Sequence, residues 1–400
     1  MRVVHVITRL IVGGAQENTL ASVIGLRQRH GWSVHLISGP TYGPEGSLEP
    51  VAAAVPGLLE LERHLIRPVH PWRDVLAWRS LTRRFRRLRP DLVHTHSGKA
   101  GFLGRLAAHR AGVPVIVHTI HGPSFGPFQG PLPNALFRWA ERRAGRVTTH
   151  FVVVAEAMAR RYLAAGIGRP EQYSLIYSGF DLGPFLHATN DPEWRARAGL
   201  NPGDLVVGKV ARLFRLKGHD DLLAVAPALL RRFPHLRFLF VGDGAWRARL
   251  EARARALGVD SAVRFVGLVP PESMPRWMGV MDVVVHLSRR EGLPRALPQA
   301  LAAGKPVVAY ACDGAPEVCR PGETGLLVEP GDLAGLESAL TRLLSDASLR
   351  ERWGWRGREW VQQHFDVRLM VDRLHELYLR LLGSSGGITG STRSELATGD

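Results

Sequence analysis

Cysteine is nearly absent: the 400 residues contain two, Cys312 and Cys319. Two thiols cannot build a disulfide framework or a four-cysteine zinc site, so a reducing compartment is the expected setting. Long apolar runs are missing as well. No stretch approaches the ~18 uninterrupted apolar residues of a membrane span. The opening MRVVHVITRL carries Arg9 beside a short apolar run and reads as a first strand, not as the core of a secretory leader. The expected location is therefore the cytoplasm, with peripheral attachment at the inner face of the plasma membrane left open. Acidic residues are in deficit, with 36 Asp plus Glu against 52 Lys plus Arg, a net charge of +16. Such a surplus predicts an anionic partner: a nucleotide, a nucleic acid or an acidic membrane. Nucleic acid is disfavoured, because the arginines are spread over both halves and no binding module or aromatic and basic platform is visible. No internal repeat of fixed period occurs.

What is present is ordinary globular composition, 45% hydrophobic and 22% charged, in a chain long enough for two domains. Short Val, Ile and Leu runs alternate with longer amphipathic segments, which predicts an α/β protein with parallel sheets covered by helices. Strands are expected at 3–7, 33–37, 91–94, 115–118 and 150–154, and again at 205–208, 237–241, 263–266, 283–286, 306–309 and 325–328. Two series of strands mean two doubly wound, Rossmann-like domains. The first is expected over 1–180 and the second over 205–365, joined by a linker at 181–204 rich in Gly, Pro and Asp. A last helix over 366–382 could pack back on the first domain. The segment 383–400 has almost no large apolar residue and reads as a disordered tail. Ligands of such sheets bind at the carboxyl ends of the strands, which directs attention to an interdomain cleft.

Several segments suit phosphate. Gly13 and Gly14 follow the first strand and precede a helix, where unpaired N–H groups face an anion, although as a motif this is weak and a tight turn is the plainer explanation. In VARLFRLKGHDD, Arg212 and Lys217 follow a strand and are spaced to neutralise a diphosphate; a solvated surface pair is the plain alternative. Gly242 and Gly244, in VGDG, belong to the same strand-end edge. In REGLPRALPQALAAGKPVV, Glu291 lies in a loop before a helix expected to start near Pro294, and Gln299 lies within that helix. An acid near a helix start also suits the dipole.

Taken in order, these pieces resemble the retaining family 4 glycosyltransferases, which have the two-domain GT-B architecture. The similarity runs through GGAQEN, PDLVHTHSGKAGFLGRLAA, HTIHG, VARLFRLKG, VGDG, the stretch from Glu291, DGAPEV and GLLVEPGD, and covers roughly residues 1–380. The resemblance implies transfer of a sugar from a UDP- or GDP-sugar to a sugar or lipid-linked acceptor hydroxyl, in glycan, exopolysaccharide or glycolipid biosynthesis, with retention of configuration. The first domain would serve the acceptor and the second the nucleotide sugar. Arg212 and Lys217 would hold the diphosphate, with Gly14 close to the leaving phosphate and Gly242 beside the donor. Glu291 would accept from sugar hydroxyls near the amides of Gly292 and Leu293, and His121 would sit beside the reacting carbon, with His118 as the fallback. The family usually has Glu where this chain has Gln299, at the ribose hydroxyls. Gln can still accept from one hydroxyl and donate to the other. Pro298, where the first helical bond is expected to form, should delay or bend the helix.

No cofactor and no metal are expected. His94 and His96 share a face of an extended segment, but no carboxylate or cysteine is spaced to complete a metal site. The stretch 72–89 places Trp78, Leu81, Phe85 and Leu88 on one helical face with arginines on the others. That stripe could pack inward or lie on anionic lipid. A GT-B-like epimerase and a non-catalytic scaffold with a decayed donor site are the alternative functions.

Overall fold

The computed structural model describes residues 1–43, 46–126 and 128–386. The chain forms two compact units. Among the described residues, the first comprises 1–154, 158–178 and 368–386; the second comprises 155–157 and 179–367.

The first unit holds a seven-stranded sheet: β1 (Arg2–Ile7), β2 (Ser33–Ser38), β3 (Leu59–Leu61), β4 (Leu92–His96), β5 (Val115–Ile120), β6 (His150–Val153) and β7 (Tyr173–Leu175). All its pairings are parallel, in the order β3-β2-β1-β4-β5-β6-β7. The second unit holds six strands: β8 (Leu205–Val210), β9 (Leu236–Val241), β10 (Val263–Gly267), β11 (Val283–His286), β12 (Val307–Tyr310) and β13 (Gly325–Val328). Their order is β10-β9-β8-β11-β12-β13, again all parallel. Both sheets reverse their winding once, between β1 and β4 and between β8 and β11. Helices diverge from such a switch point and leave a crevice above the carboxyl ends of the two strands.

All eleven expected strands form, within two residues at their ends. The two that sequence periodicity does not show, β3 and β7, are three-residue edge strands, too short to carry an alternation. Residues 181–204 are not a featureless linker. They belong to the second unit and contain the helices Gly183–Leu186 and Pro192–Arg197. Trp194 is buried edge-on against Trp277, with ring centroids 4.9 Å apart. The guanidinium of buried Arg195 donates to Asn190 Oδ1 and to the carbonyls of Asn201 and Asp204. The last helix runs from Val367 to Gly386, so the first four residues assigned to the tail are helical. The expectation of disorder over 387–400 lies outside the described residues.

The helix Pro71–Leu88 packs inward. Leu81 and Phe85 are buried in the core of the first unit with Val4, Val6, Val93 and Ile116, and Trp78 and Leu88 pack against it. The apolar stripe considered for lipid is thus consumed by the core.

Candidate functional site

In the second unit the two strands at the switch point deliver the cluster. β8 ends at Val210, and the chain passes through Arg212 and a single 3-10 turn, Arg215–Lys217, into the helix His219–Arg232. Gly218 makes this possible: its φ is +67°, and a Cβ there would collide with the Leu287 carbonyl. β11 ends at His286, and the following loop is tied to the first one by Arg289 N to Leu216 O, 2.9 Å, and Ser288 Oγ to Leu216 O, 3.3 Å. Asp313 Oδ2 accepts from Glu291 N at 2.7 Å, and Gly314 N donates to Gly292 O at 3.0 Å. These bonds hold Glu291 so that its Oε1 pairs with Lys217 Nζ and lies 3.3 Å from His286 Nε2.

Burial by itself would raise the Glu291 carboxyl. Lys217 and His286 overcome that and hold it well below the usual carboxylate range. Beneath the pair, Lys209 is buried on β8; burial, with Lys217 nearby, lowers its ammonium to about 7. His219 and His286 are buried, and burial lowers both rings. The His219 ring has no hydrogen-bond partner among the described residues, and the His286 ring has only the 3.3 Å contact of its Nε2 with Glu291. The cluster therefore combines one carboxylate, one paired lysine, one lysine poised to change charge and two neutral imidazoles. Such a set is short of anions and can accept a phosphate.

Arg212 is exposed and stacks on Phe214, 4.9 Å from guanidinium carbon to ring centroid. Gly242 has φ +132°, and a Cβ would strike the Ala211 carbonyl, so this glycine lets the turn after β9 lie against the Arg212 loop. Gly292 and Leu293 follow Glu291 in that loop, and their N–H groups meet no protein acceptor among the described residues. The next helix is Ala296–Ala302, beginning two residues later than Pro294. Pro298 is its third residue, where no intrahelical donor is needed, and the first bond is Gln299 N to Arg295 O at 3.3 Å. Neither delay beyond that nor a bend is forced by the proline. Gln299 is half-buried, and its side-chain amide makes no hydrogen bond among the described residues.

In the first unit, Gly14 is exposed at the first position of the helix Gly14–His30. Gly13 is extended, φ 174°, a conformation open to any residue, so the turn itself does not require glycine there. His121 follows β5 and is half-buried, and burial lowers its ring to about 4. Its Nε2 lies 3.0 Å from His96 Nδ1. His118 is occupied elsewhere, with Nδ1 2.9 Å from Thr95 Oγ1 and its ring against Gly101. The fallback role for His118 is thereby removed.

The structure adds His5 to the pair His94 and His96, and ligand atoms of the three lie within 4.8 Å of one another. A metal there would have to break the bonds these nitrogens already make. Lys209, His219, His286, His5 and Tyr378 are the members of the two clusters that sequence reasoning passes over. Four of them carried a signal. A strand of a parallel sheet covered on both faces reads as a continuous apolar run, so Lys209 in VVGKV, His286 in VVVH and His5 in VVHVI are interruptions that need a reason, and His219 directly follows the Lys217 and Gly218 pair.

Two doubly wound parallel sheets, the second with a cationic crevice at its switch point, are the architecture of the GT-B glycosyltransferases. Residues 190–360 match the glycosyl transferases group 1 family and residues 13–179 match the glycosyl transferase 4-like domain; the chain belongs to this glycosyltransferase family. It is 32% identical to the GDP-mannose-dependent alpha-(1-6)-phosphatidylinositol monomannoside mannosyltransferase of Mycolicibacterium smegmatis, over 77% of this chain and 82% of that protein. It is 27% identical to the UDP-Gal:alpha-D-GlcNAc-diphosphoundecaprenol alpha-1,3-galactosyltransferase of Escherichia coli, over 80% of this chain and 82% of that one. The fold matches Anabaena Alr3699/HepE in complex with UDP-glucose, with TM-score 0.79 and 22% identity over 95% of this chain and all of that one. No helix among the described residues is long and apolar enough to cross a membrane.

Proposed function

We propose that this glycosyltransferase moves a hexose from a UDP- or GDP-sugar to the hydroxyl of a sugar or lipid-linked acceptor, with retention of configuration and without a metal. The observation that carries the proposal is the pairing of Lys217 with Glu291 over buried Lys209 at the β8/β11 switch point. A donor would exchange that pair for better partners: Lys217 and Arg212 turn to the diphosphate, and Glu291 accepts from sugar hydroxyls. The free N–H groups of Gly292 and Leu293 add donors beside Glu291, Gln299 takes the ribose hydroxyls, and Gly242 keeps the Arg212 loop in place. Gly14 leaves room at a helix start for the leaving phosphate, and His121 contacts the sugar. When the bond from C1 to the phosphate oxygen breaks, its electron pair leaves with the nucleoside diphosphate. The acceptor oxygen bonds to C1 on the same face, and its proton passes to a leaving phosphate oxygen. No protein nucleophile is consumed, and positioned positive charge supplies most of the catalysis.

The test is transfer assayed with UDP- and GDP-hexoses, with the product anomer read by proton NMR. An α product from an α donor is expected. Inversion would end the retaining mechanism, and interconversion of the free donor without transfer would favour an epimerase.

An acidic lipid surface is the second element of the reading. Trp72, Val75 and Leu76, and on the helix Pro131–Gly145 Leu132, Leu136 and Trp139, are exposed large apolar residues, with Arg142 and Arg143 exposed beside them. Residues of this kind are suited to an anionic interface, where a lipid-linked acceptor is held.

A further inference from the structure

Behind His121 runs an unbroken line of hydrogen bonds into the first unit. His121 Nε2 meets His96 Nδ1 at 3.0 Å, and His96 Nε2 meets His5 Nδ1 at 2.9 Å. His5 Nε2 lies 3.4 Å from Tyr378 Oη, whose nearer partner is His94 Nδ1. His94 Nε2 ends the line on Thr119 Oγ1 at 2.6 Å. His5, His94, His96 and Tyr378 are all buried. His96, His5 and His94 each use both ring nitrogens and Tyr378 its single hydroxyl, so each proton constrains the next, and only His121 at the outer end has a nitrogen to spare.

A neutral imidazole has one donor and one acceptor. Burial lowers all four rings, which keeps them neutral at ordinary pH. Only two proton orders then satisfy every bond, one the reverse of the other. The choice falls at Tyr378, which has one proton for two histidines. A phenol donates more strongly than it accepts, so its proton belongs on the shorter contact, to His94 Nδ1, and its oxygen accepts from His5. Following that direction, His5, His96 and His121 each carry their proton on Nε2. The outer atom, His121 Nδ1, has no protein partner among the described residues and is left with a lone pair.

We infer that His96, His5 and Tyr378 are positioning residues that lock His121 in the Nε2–H tautomer, so that its Nδ1 presents an acceptor to a hydroxyl of the donor sugar. The sugar contact rests on the function proposed above; the tautomer does not. A residue that orients and fixes the proton of a functional histidine is part of its chemistry, as the carboxylate that sets the histidine tautomer in a serine-histidine-aspartate triad is.

Histidine-selective nitrogen-15 labelling of the full chain, with long-range proton to nitrogen correlation, reads each tautomer directly. His121, His96, His5 and His94 are expected as single Nε2–H tautomers from about pH 6 to 8. A Nδ1–H form or a mixture at His121 in the wild type overturns the inference. Two variants divide the chain at His96. His96→Asn places an amide where Nδ1 stood and keeps an acceptor for His121; His96→Gln reaches toward the Nε2 position and leaves His121 without one. His121 should remain a single tautomer in His96→Asn and become mixed in His96→Gln, with kcat of the Gln variant roughly tenfold below that of the Asn variant at similar donor KM. Equal tautomer patterns in two folded variants overturn it. So does stoichiometric zinc bound by the wild type and lost in His5→Phe, which would make the cluster a metal centre. If the wild type transfers no sugar, the transferase proposal fails while the tautomers still judge the chain.

Discussion

Glu291 and Lys217 answer each other's charge in the free protein, so binding a donor is an exchange of partners. Lys217→Ala leaves the Glu291 carboxylate half-buried with only His286 beside it, and Arg212→Ala removes the planar contact to phosphate. Each should lower kcat/KM by about tenfold or more. Steady-state kinetics checks this, and wild-type turnover in both removes the role. Lys209 offers a quieter test. Because its ammonium is lowered to about 7, an arriving diphosphate should draw a proton onto it. Calorimetry in buffers of differing ionisation enthalpy should show net proton uptake near that pH, absent in Lys209→Met. Gln299→Glu should tighten nucleotide binding by about 1 kcal/mol, near fivefold, since charged hydrogen bonds outweigh neutral ones. Unchanged or weaker binding would contradict the assignment.

At the scale of elements, position within a helix decides what a residue costs. A proline inside a helix costs about 3 kcal/mol, but at the third residue it removes no bond. Pro298 is buried, so Pro298→Ala should cost only the lost burial of its ring, about 1 to 2 kcal/mol, and not the cost of a broken helix, measured by denaturant titration. The helix Gly98–Ala111 shows the opposite case. Its buried Arg105 donates to Glu141 Oε2 at 2.6 Å, and Ser124 Oγ donates to Glu141 Oε1 at 3.0 Å. Glu141→Ala strands a buried guanidinium and should cost about 3 to 5 kcal/mol. The strand pattern along the chain was readable because each strand is a short apolar run between turn residues. Only the three-residue edges and the helices within 181–204 escaped, the latter because Gly, Pro and Asp obscure a pattern anchored by few buried residues, Phe185 in the first helix and Trp194 and Arg195 in the second.

For the molecule as a whole, acid is the expected weakness. Burial lowers His5 to about 3 and His121 to about 4, and lowers His94, His96, His118 and His286 as well. Each of these rings binds its proton more readily when unfolded. Their neutral burial is thus favourable above about pH 6.5 and is lost progressively as pH falls below it. The thermal midpoint should drop steeply from about pH 6.5 to 5, and a flat profile would oppose the buried neutral assignment.

The sequence by itself determined two parallel-sheet domains, a phosphate-seeking surplus of positive charge, and the identity of Arg212, Lys217, Glu291 and His121 as residues to watch. Those properties are local: periodicity, turn chemistry, and motifs whose order along the chain is specific. Only the tertiary structure decided that Lys217 pairs with Glu291 across 74 residues, that Lys209 lies buried beneath them, and that His121 is backed by a chain reaching to Tyr378. Such contacts depend on strand order, and sheet winding brings residues together at a switch point irrespective of their distance in sequence.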